Sequence, residues 1–172
     1  MIEKFTFELH APKIPLPHEK IILVKEITEL RNHVVLKLLA YMLYYDPELK
    51  VEGSAGMHYK PDLLIPGEHT PRLWIDCGKV TLRKVESLAG KLRNTRVVFM
   101  KETKRELETF KKLVEKKAGQ AAHLEFLAFE PGFIDSLAGA LERTNHITLY
   151  DVMPEVVGIA LNDQVFESRL YR

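Results

Sequence analysis

The segment 60–79 (KPDLLIPGEHTPRLWIDCGK) carries the acidic side chains that are best spaced for chemistry. Asp62 precedes the apolar triplet LLI, and Asp76 follows the apolar triplet LWI. Side chains alternate along a strand, so Trp74, Asp76 and Gly78 are expected to share one face. If Asp62 opens the preceding strand on the matching face, the two carboxylates converge and repel each other, and a hard cation such as Mg²⁺ or Mn²⁺ relieves that repulsion. The pattern favours a metal site that activates water and stabilises charge on a phosphate.

Other reactive side chains near these acids are expected to be less important. His58 and His69 flank the acids in loops, but their spacing matches no zinc pattern. Cys77 alternates away from Asp76, so we expect a core thiol rather than a nucleophile. His33 is expected to be a partly buried helix residue rather than a ligand.

Two short strands must position the acids. They are predicted at Asp62–Ile65 and Arg72–Cys77, and the residues PGEH between them have a turn composition. Strands and helices alternate further along the chain, which predicts βαβ units and a partly parallel central sheet, with antiparallel strands at the end. The other predicted elements are strands at Lys4–His10, Ile21–Val24, Leu49–Glu52, Arg96–Met100, His123–Phe129, Ile147–Val152, Val156–Leu161 and Val165–Leu170, and helices at Thr28–Tyr45, Thr81–Leu92, Glu102–Lys117 and Phe133–Glu142.

The helix predicted from Thr28 has the strongest pattern in the chain. Its apolar residues recur at helical spacing, Thr28 is the expected N-cap, and Asp46-Pro47 is the expected stop. Glu29 lies in the first turn, where the helix dipole favours an acid, and it is one turn from His33.

Basic residues cluster near the acids in the sequence. The run Arg83, Lys84, Lys91, Arg93 and Arg96 is interpreted as a solvated helix face, with a phosphate-binding patch as the alternative. The segment 101–117 alternates in charge, which is typical of an exposed helix.

Length and composition limit the class of protein. The chain of 172 residues suits one domain, 1–172. A net charge of +1 excludes polybasic binding of nucleic acid but allows a local basic patch. One cysteine allows neither an internal disulfide nor a Cys-rich zinc site. No apolar run reaches about 18 residues and the first ten residues lack the apolar region of a signal peptide, so we expect a cytoplasmic protein without a membrane partner.

The order of the motifs resembles a known family. Pro61-Asp62 and Asp76-Cys77-Gly78 are similar to the PD and (D/E)xK elements of the PD-(D/E)xK nuclease superfamily. More narrowly, the chain resembles the YaeQ family across nearly its whole length. The segments that carry this resemblance are RNHVVLKLLAY at 31–41, PDL at 61–63, LWIDCG at 73–78, LRK at 82–84 and ALERT at 140–144.

The resemblance implies a restriction-endonuclease-like fold, in which a mixed β-sheet is flanked by helices and acids from two adjacent strands meet at one edge. It implies that Asp62 and Asp76 hold Mg²⁺ or Mn²⁺, with Glu29 and the main-chain carbonyl of Cys77 as further ligands. The implied activity is Mg²⁺-dependent hydrolysis of nucleic-acid phosphodiesters. The oligomeric state is left open.

One position departs from the superfamily pattern, because Gly78 stands where a lysine two residues after the second acid is usual. Alternation points Lys79 the other way unless the glycine turns the backbone. Lys84 or Lys91 in the following helix could then supply the cation.

The departure leaves two alternatives to a nuclease. One is a catalytically inactive nuclease-fold binding or regulatory module, which predicts a flat or apolar surface with the acids paired to arginines. The other is a purely structural role, which predicts that both acids are buried in ion pairs. A catalytic site instead predicts an electropositive groove and a lysine nitrogen within a few ångströms of the carboxylates.

Overall fold

Ten strands and four helices make up the fold in a computed structural model that describes residues 1–172. The strands are β1 (Glu3–Ala11), β2 (Leu16–Lys25), β3 (Lys50–Val51), β4 (Leu63–Ile65), β5 (Leu73–Cys77), β6 (Arg96–Met100), β7 (Leu124–Leu127), β8 (Thr144–Met153), β9 (Val156–Leu161) and β10 (Gln164–Arg169). The helices are α1 (Arg31–Leu43), α2 (Leu82–Lys91), α3 (Lys104–Ala118) and α4 (Phe133–Gly139).

The strands form two mixed sheets of five strands each. The first sheet has the order β10-β9-β8-β1-β2, and the second has the order β3-β4-β5-β6-β7. Parallel pairing joins β1 to β8, β5 to β6 and β6 to β7, and all other pairs are antiparallel. The mixed α/β prediction is therefore confirmed, but the single central sheet is wrong. The terminal strands form a sheet of their own, because β1 pairs with β8 and so joins the first hairpin to the last three strands.

Helix α1 lies in the interior and packs against both sheets. All residues from Val34 to Met42 are buried, which is expected of a helix covered on every side. A core of 35 buried residues draws on α1, α4 and both sheets. A second cluster of 10 buried residues lies on the other face of the second sheet, beneath α2 and α3. Helices therefore cover both faces of the second sheet.

The predicted alternation along β5 is confirmed by this packing. Leu73, Ile75 and Cys77 belong to the core shared by both sheets, and Trp74 belongs to the cluster beneath α2 and α3. The bounds predicted for β6 and β9 agree with the structure.

Two predicted boundaries were wrong for local reasons. Helix α1 begins at Arg31 rather than near Thr28, and Leu30 precedes it without a side-chain cap. The reason is a turn in which the Glu29 carboxylate accepts the Glu26 N–H at 2.7 Å, and this turn ends before the helix begins. Strand β2 begins at Leu16 rather than at Ile21 and includes Pro17, which is tolerated there because β2 lies at the edge of its sheet.

Candidate functional site

A cleft of about 970 Å³ opens where β5 and β6 end. Its lining includes the acids Glu29, Asp62, Asp76, Glu102 and Glu106, and the basic residues His33, Lys60, Lys79, Lys84, Lys101 and Arg105. Strands β5 and β6 are parallel, and the carboxyl ends of parallel strands are the usual position of binding sites in α/β proteins. The cleft thus brings together Glu29, Asp62, Asp76, Lys79 and Lys84, all predicted from the sequence.

Asp76 is held in the wall of the cleft by two donors. Its side chain is 3% exposed. Trp74 donates its indole N–H to Oδ2 at 2.9 Å, and Lys84 Nζ lies 2.7 Å from Oδ1. Burial raises the pKa of Asp76, although Lys84 and Trp74 both act to lower it. The carboxylate is therefore costly to ionise unless a cation is present.

Lys84 reaches Asp76 from the first turn of α2. Thr81 caps this helix by accepting the Lys84 N–H at 3.2 Å, which fixes the direction of the turn that carries the lysine. Lys84 Nζ also donates to the Lys60 carbonyl at 2.8 Å.

Asp62 lies directly before β4, with one backbone donor and one imidazole nitrogen beside its carboxylate. The Cys77 N–H donates to Oδ2 at 2.7 Å, and His33 Nε2 lies 3.2 Å from Oδ1. Burial alone would raise the pKa of Asp62, but the donors from His33 and Cys77 outweigh it, and the pKa is lowered. Asp62 is therefore ionised at neutral pH.

His33 connects Glu29 to Asp62. Its Nδ1 lies 2.7 Å from Glu29 Oε1, while its Nε2 faces Asp62. Burial alone would lower the pKa of His33, but Asp62 and Glu29 raise it. The imidazole is partly buried, as predicted, but its bridging position was not predicted.

Lys37 is a second residue whose position was not predicted. It lies in the apolar pattern of α1 and is fully buried, with Nζ 2.9 Å from Glu52 and 3.6 Å from Glu29. Glu29 therefore has a basic partner on each side, His33 and Lys37, although it lies in the turn before the helix. A lysine inside an apolar helical pattern was the available sequence signal.

The cations proposed to replace the lysine missing at Gly78 differ in position. Lys84 contacts Asp76, whereas Lys79 is exposed in the cleft lining without an ion pair. Lys91 is exposed and lies outside the cleft. Gly78 itself has a φ of +76°, a conformation that favours glycine.

Lys101 is the main residue that the sequence analysis missed. It was expected on an exposed helix, but it is 7% exposed, because α3 begins at Lys104 and the Lys101 N–H continues the sheet by donating to Leu127. Its amine donates to the Gly78 carbonyl, and burial lowers its pKa to about 8. Its position directly after the buried run VVFM was the available signal.

The remaining side chains considered in the sequence are those of Cys77, His58 and His69. Burial raises the pKa of the Cys77 thiol well above its usual value, so the thiol stays protonated, and the prediction of a core thiol is confirmed. His69 is exposed, and His58 packs against Tyr59. Neither histidine lines the cleft.

The donor set limits how a metal ion could bind. No three His, Cys, Asp or Glu side chains are grouped as metal ligands. Mg²⁺ commonly needs one or two carboxylates and keeps several waters, so Asp62, Asp76 and the Cys77 carbonyl fit this ion in chemical type. Glu29 fits less well, because His33 and Lys37 already face its carboxylate.

Fold and cleft together define the class: a mixed α/β protein with two mixed sheets and an acid-and-lysine cleft at the strand ends of the second sheet. The sequence model described as YaeQ protein matches residues 19–167, so the chain belongs to the YaeQ family. None of the four helices combines the length and the apolar composition of a membrane span.

Solved structures support the same fold. The YaeQ protein from Xanthomonas axonopodis pv. citri matches with a TM-score of 0.78 and 16% identity, over 98% of this chain and 95% of that one. The YaeQ protein from Pseudomonas syringae matches with a TM-score of 0.78 and 16% identity, over 98% of this chain and 93% of that one. A comparison with curated proteins gave no match.

Proposed function

We propose that this protein hydrolyses phosphodiester bonds of nucleic acids with the help of Mg²⁺ or Mn²⁺, on a restriction-endonuclease-like, PD-(D/E)xK-type arrangement of its second sheet. One observation carries the proposal: Lys84 Nζ lies 2.7 Å from the buried Asp76 carboxylate in the wall of a large cleft. Lys84 in α2 thus provides the cation that a lysine at position 78 would otherwise provide. An acid and a lysine in contact at a strand end are the protein groups that such hydrolysis needs.

Each residue has a distinct role in this proposal. Asp62, Asp76 and the Cys77 carbonyl would hold the ion, which when bound activates water and polarises a phosphate oxygen. His33 keeps Asp62 ionised and oriented, and Glu29 orients His33. Lys84 orients the attacking water or a phosphate oxygen through its ammonium hydrogen bonds. Lys79, exposed in the cleft lining, contacts the substrate backbone.

A catalytically inactive binding or regulatory module is the second candidate. It is favoured by the partner that each acid already has, since Asp62 faces His33 and Asp76 faces Lys84. Those partners are not the arginines expected for such a module, and the acids line a cleft rather than a flat surface. We therefore rank it below hydrolysis.

Calorimetric titration with Mn²⁺ and Mg²⁺ tests the metal site. The native protein should bind at millimolar metal or below, and Asp62→Asn and Asp76→Asn should each weaken binding by about tenfold or more, because each removes a charged ligand. Asp163→Asn, an exposed acid in the β9–β10 turn, is the matched control and should bind as the native protein does. Absence of binding by the native protein at millimolar metal would contradict the proposal.

Cleavage assays then separate the two candidates. Single-stranded DNA, duplex DNA and RNA are incubated with the native protein, Asp76→Asn and Lys84→Met. Hydrolysis predicts cleavage that falls about 100-fold or more in both variants, since general acid–base and charge-stabilising groups contribute at least that factor. Metal binding without cleavage would favour the inactive module. Cleavage that survives Asp76→Asn would assign the activity to another site.

A further inference from the structure

Lys101 is a largely buried lysine that lacks a counter-ion, unlike Lys37 and Lys84. Lys37 faces Glu52 at 2.9 Å, and Lys84 faces Asp76 at 2.7 Å. Lys101 has no carboxylate oxygen within 4.0 Å, although it is 7% exposed. Burial of an unpaired ammonium is costly, so a buried lysine without a partner at the wall of a cleft needs an explanation.

The surroundings of Lys101 hold its amine in place without neutralising it. Its Nζ donates to the Gly78 carbonyl and lies 4.0 Å from the centroid of the Phe110 ring. The Glu106 and Asp76 carboxylates act on it at longer range. Burial lowers its pKa to about 8, so the amine is mostly charged at pH 7.

Other cations of the cleft are also free of ion pairs. Lys79 and Arg105 line the cleft and have no carboxylate oxygen within 4.0 Å. Of the five acids of the cleft, Asp62, Asp76 and Glu29 each have a basic neighbour, whereas Glu102 and Glu106 have no ion pair.

We propose that Lys101, with Lys79 and Arg105, forms a binding site for a phosphate group, whose negative charge supplies the counter-ion that Lys101 lacks. The site does not depend on the hydrolysis proposed above, because it needs neither the metal nor the two aspartates. The phosphate belongs either to a small molecule, as a monoester-like dianion, or to a nucleic-acid backbone, as a diester.

The test is a binding titration in EDTA at constant ionic strength, with inorganic phosphate and with a dithymidine monophosphate as probes. Lys101→Met keeps the apolar stem and removes the charge. It should weaken binding of the preferred probe by about tenfold or more, the usual effect of losing a charged hydrogen bond. Lys104→Met, which removes an exposed cation outside the cleft, should change binding less than twofold.

The preferred probe identifies the source of the phosphate. Stronger binding of inorganic phosphate indicates a small phosphorylated ligand, and stronger binding of the dinucleotide indicates a nucleic-acid backbone. Equal affinity in the native protein and Lys101→Met, or no binding of either probe at tens of millimolar, would overturn the proposal. EDTA keeps this outcome separate from the metal titration of the proposed function.

A second measurement uses the native protein alone and holds even if Lys101→Met does not fold. Limited acetylation followed by mass spectrometry gives the rate of modification at each lysine. Saturating phosphate should slow acetylation of Lys101 severalfold and leave Lys104 unchanged. Equal rates at Lys101 with and without either probe would contradict a phosphate site.

Discussion

At Gly78 the backbone leaves β5 with a φ of +76°, a conformation that residues with a Cβ rarely adopt. A Cβ built at this position would meet no atom closer than His33 Cδ2 at 3.8 Å, so space does not exclude a larger residue. The backbone conformation therefore explains the glycine, and a lysine here would be strained before it reached Asp76. Lys84 and Lys101 contact the groups on either side of this turn, the Asp76 carboxylate and the Gly78 carbonyl.

Gly78→Ala should lower the free energy of unfolding by about 1–2 kcal/mol, the cost of a left-handed conformation for a residue with a Cβ. Gly90→Ala is the matched control: this glycine lies within α2 with open space around it, and the change should stabilise the protein by about 0.5–1 kcal/mol. Urea denaturation measures both. A Gly78→Ala variant as stable as the native protein would show that the turn is not strained.

The linked side chains Glu29, His33 and Asp62 make stability depend on pH. The pKa of His33 is raised from 6.5, so its contribution is present below pH 6.5 and is lost as the pH rises through the folded value. The pKa values of Asp62 and Glu29 are lowered from 3.8 and 4.5, so their contributions are present above those values and are lost as the pH falls. The cluster therefore stabilises the fold most between about pH 4.5 and 6.5.

His33→Gln should reduce the loss of stability between pH 5.5 and pH 8.5, because glutamine does not titrate. Urea denaturation of the native protein and the variant at both pH values measures that loss. His69→Gln, in which the replaced histidine is exposed, should leave the native pH dependence unchanged. The same loss in His33→Gln and the native protein would place the pH sensitivity elsewhere.

The sequence indicated that Asp62 and Asp76 share the cleft and that Lys84 is a candidate cation, but not which other bases lie near these acids. Asp62 and Asp76 stand at the ends of apolar triplets, and this local pattern predicts their position well. The positions of His33, Lys37 and Lys101 depend on how α1 and β6 pack against β5, and the local signals at Lys37 and Lys101 do not indicate which groups these lysines face. Lys101 in particular resembles the exposed helix residues that follow it.

Among the secondary-structure elements, α2 has the most direct effect on the cleft. The helix begins at Leu82, and its apolar residues Val85 and Leu88 pack against the second sheet. Its first turn carries Lys84 toward Asp76. The Thr81 hydroxyl accepts the Lys84 N–H, so the cap and the catalytic candidate share one turn. The sequence predicted this helix well, because the cap and the apolar spacing are both local signals.

Thr81→Ala should lower the free energy of unfolding by about 1 kcal/mol, because it removes the cap of α2. Thr81→Ser keeps a hydroxyl in the same position and should retain most of the native stability. Urea denaturation of the two variants provides the measurement. If serine destabilises as much as alanine, the threonine methyl group rather than the cap is responsible.

Helix α1 shows the opposite case, in which a local signal was misleading. Thr28 is a good N-cap by residue type, yet the helix begins three residues later, because Glu29 closes a turn with Glu26. The same turn directs the Glu29 carboxylate toward His33. The contact between the Glu29 carboxylate and the Glu26 N–H therefore outweighs the general preference for threonine at a helix N-cap.

At the scale of the whole molecule, one long-range pairing determines the architecture. Thr6 of β1 lies opposite Thr144 of β8, in parallel, and this pair joins the two ends of the chain into the first sheet. No local sequence pattern in either segment indicates a pairing between strands so far apart in the chain. This is why the sequence predicted one sheet rather than two. Buried Asn145 supports the junction, since its side-chain amide donates to the Thr6 and Glu142 carbonyls.

The core shared by the two sheets predicts that they unfold together. Trp74, the single tryptophan, is fully buried in the second sheet, so its fluorescence reports on that sheet. Leu149 is buried in β8 of the first sheet and belongs to the shared core. Leu149→Ala should lower the free energy of unfolding by about 2–5 kcal/mol. Because cooperative unfolding couples the sheets, Trp74 fluorescence and circular dichroism should shift to the same lower urea midpoint.

Val165→Ala provides the control for this experiment. Val165 lies in β10 of the same sheet but is 68% exposed, so its truncation should leave both midpoints near their native values. A Trp74 midpoint that stays fixed in Leu149→Ala while the dichroism midpoint falls would mean that the sheets unfold separately. In that case residues 1–172 would comprise two folding units, and the cleft on the second sheet would not need the first sheet for its stability.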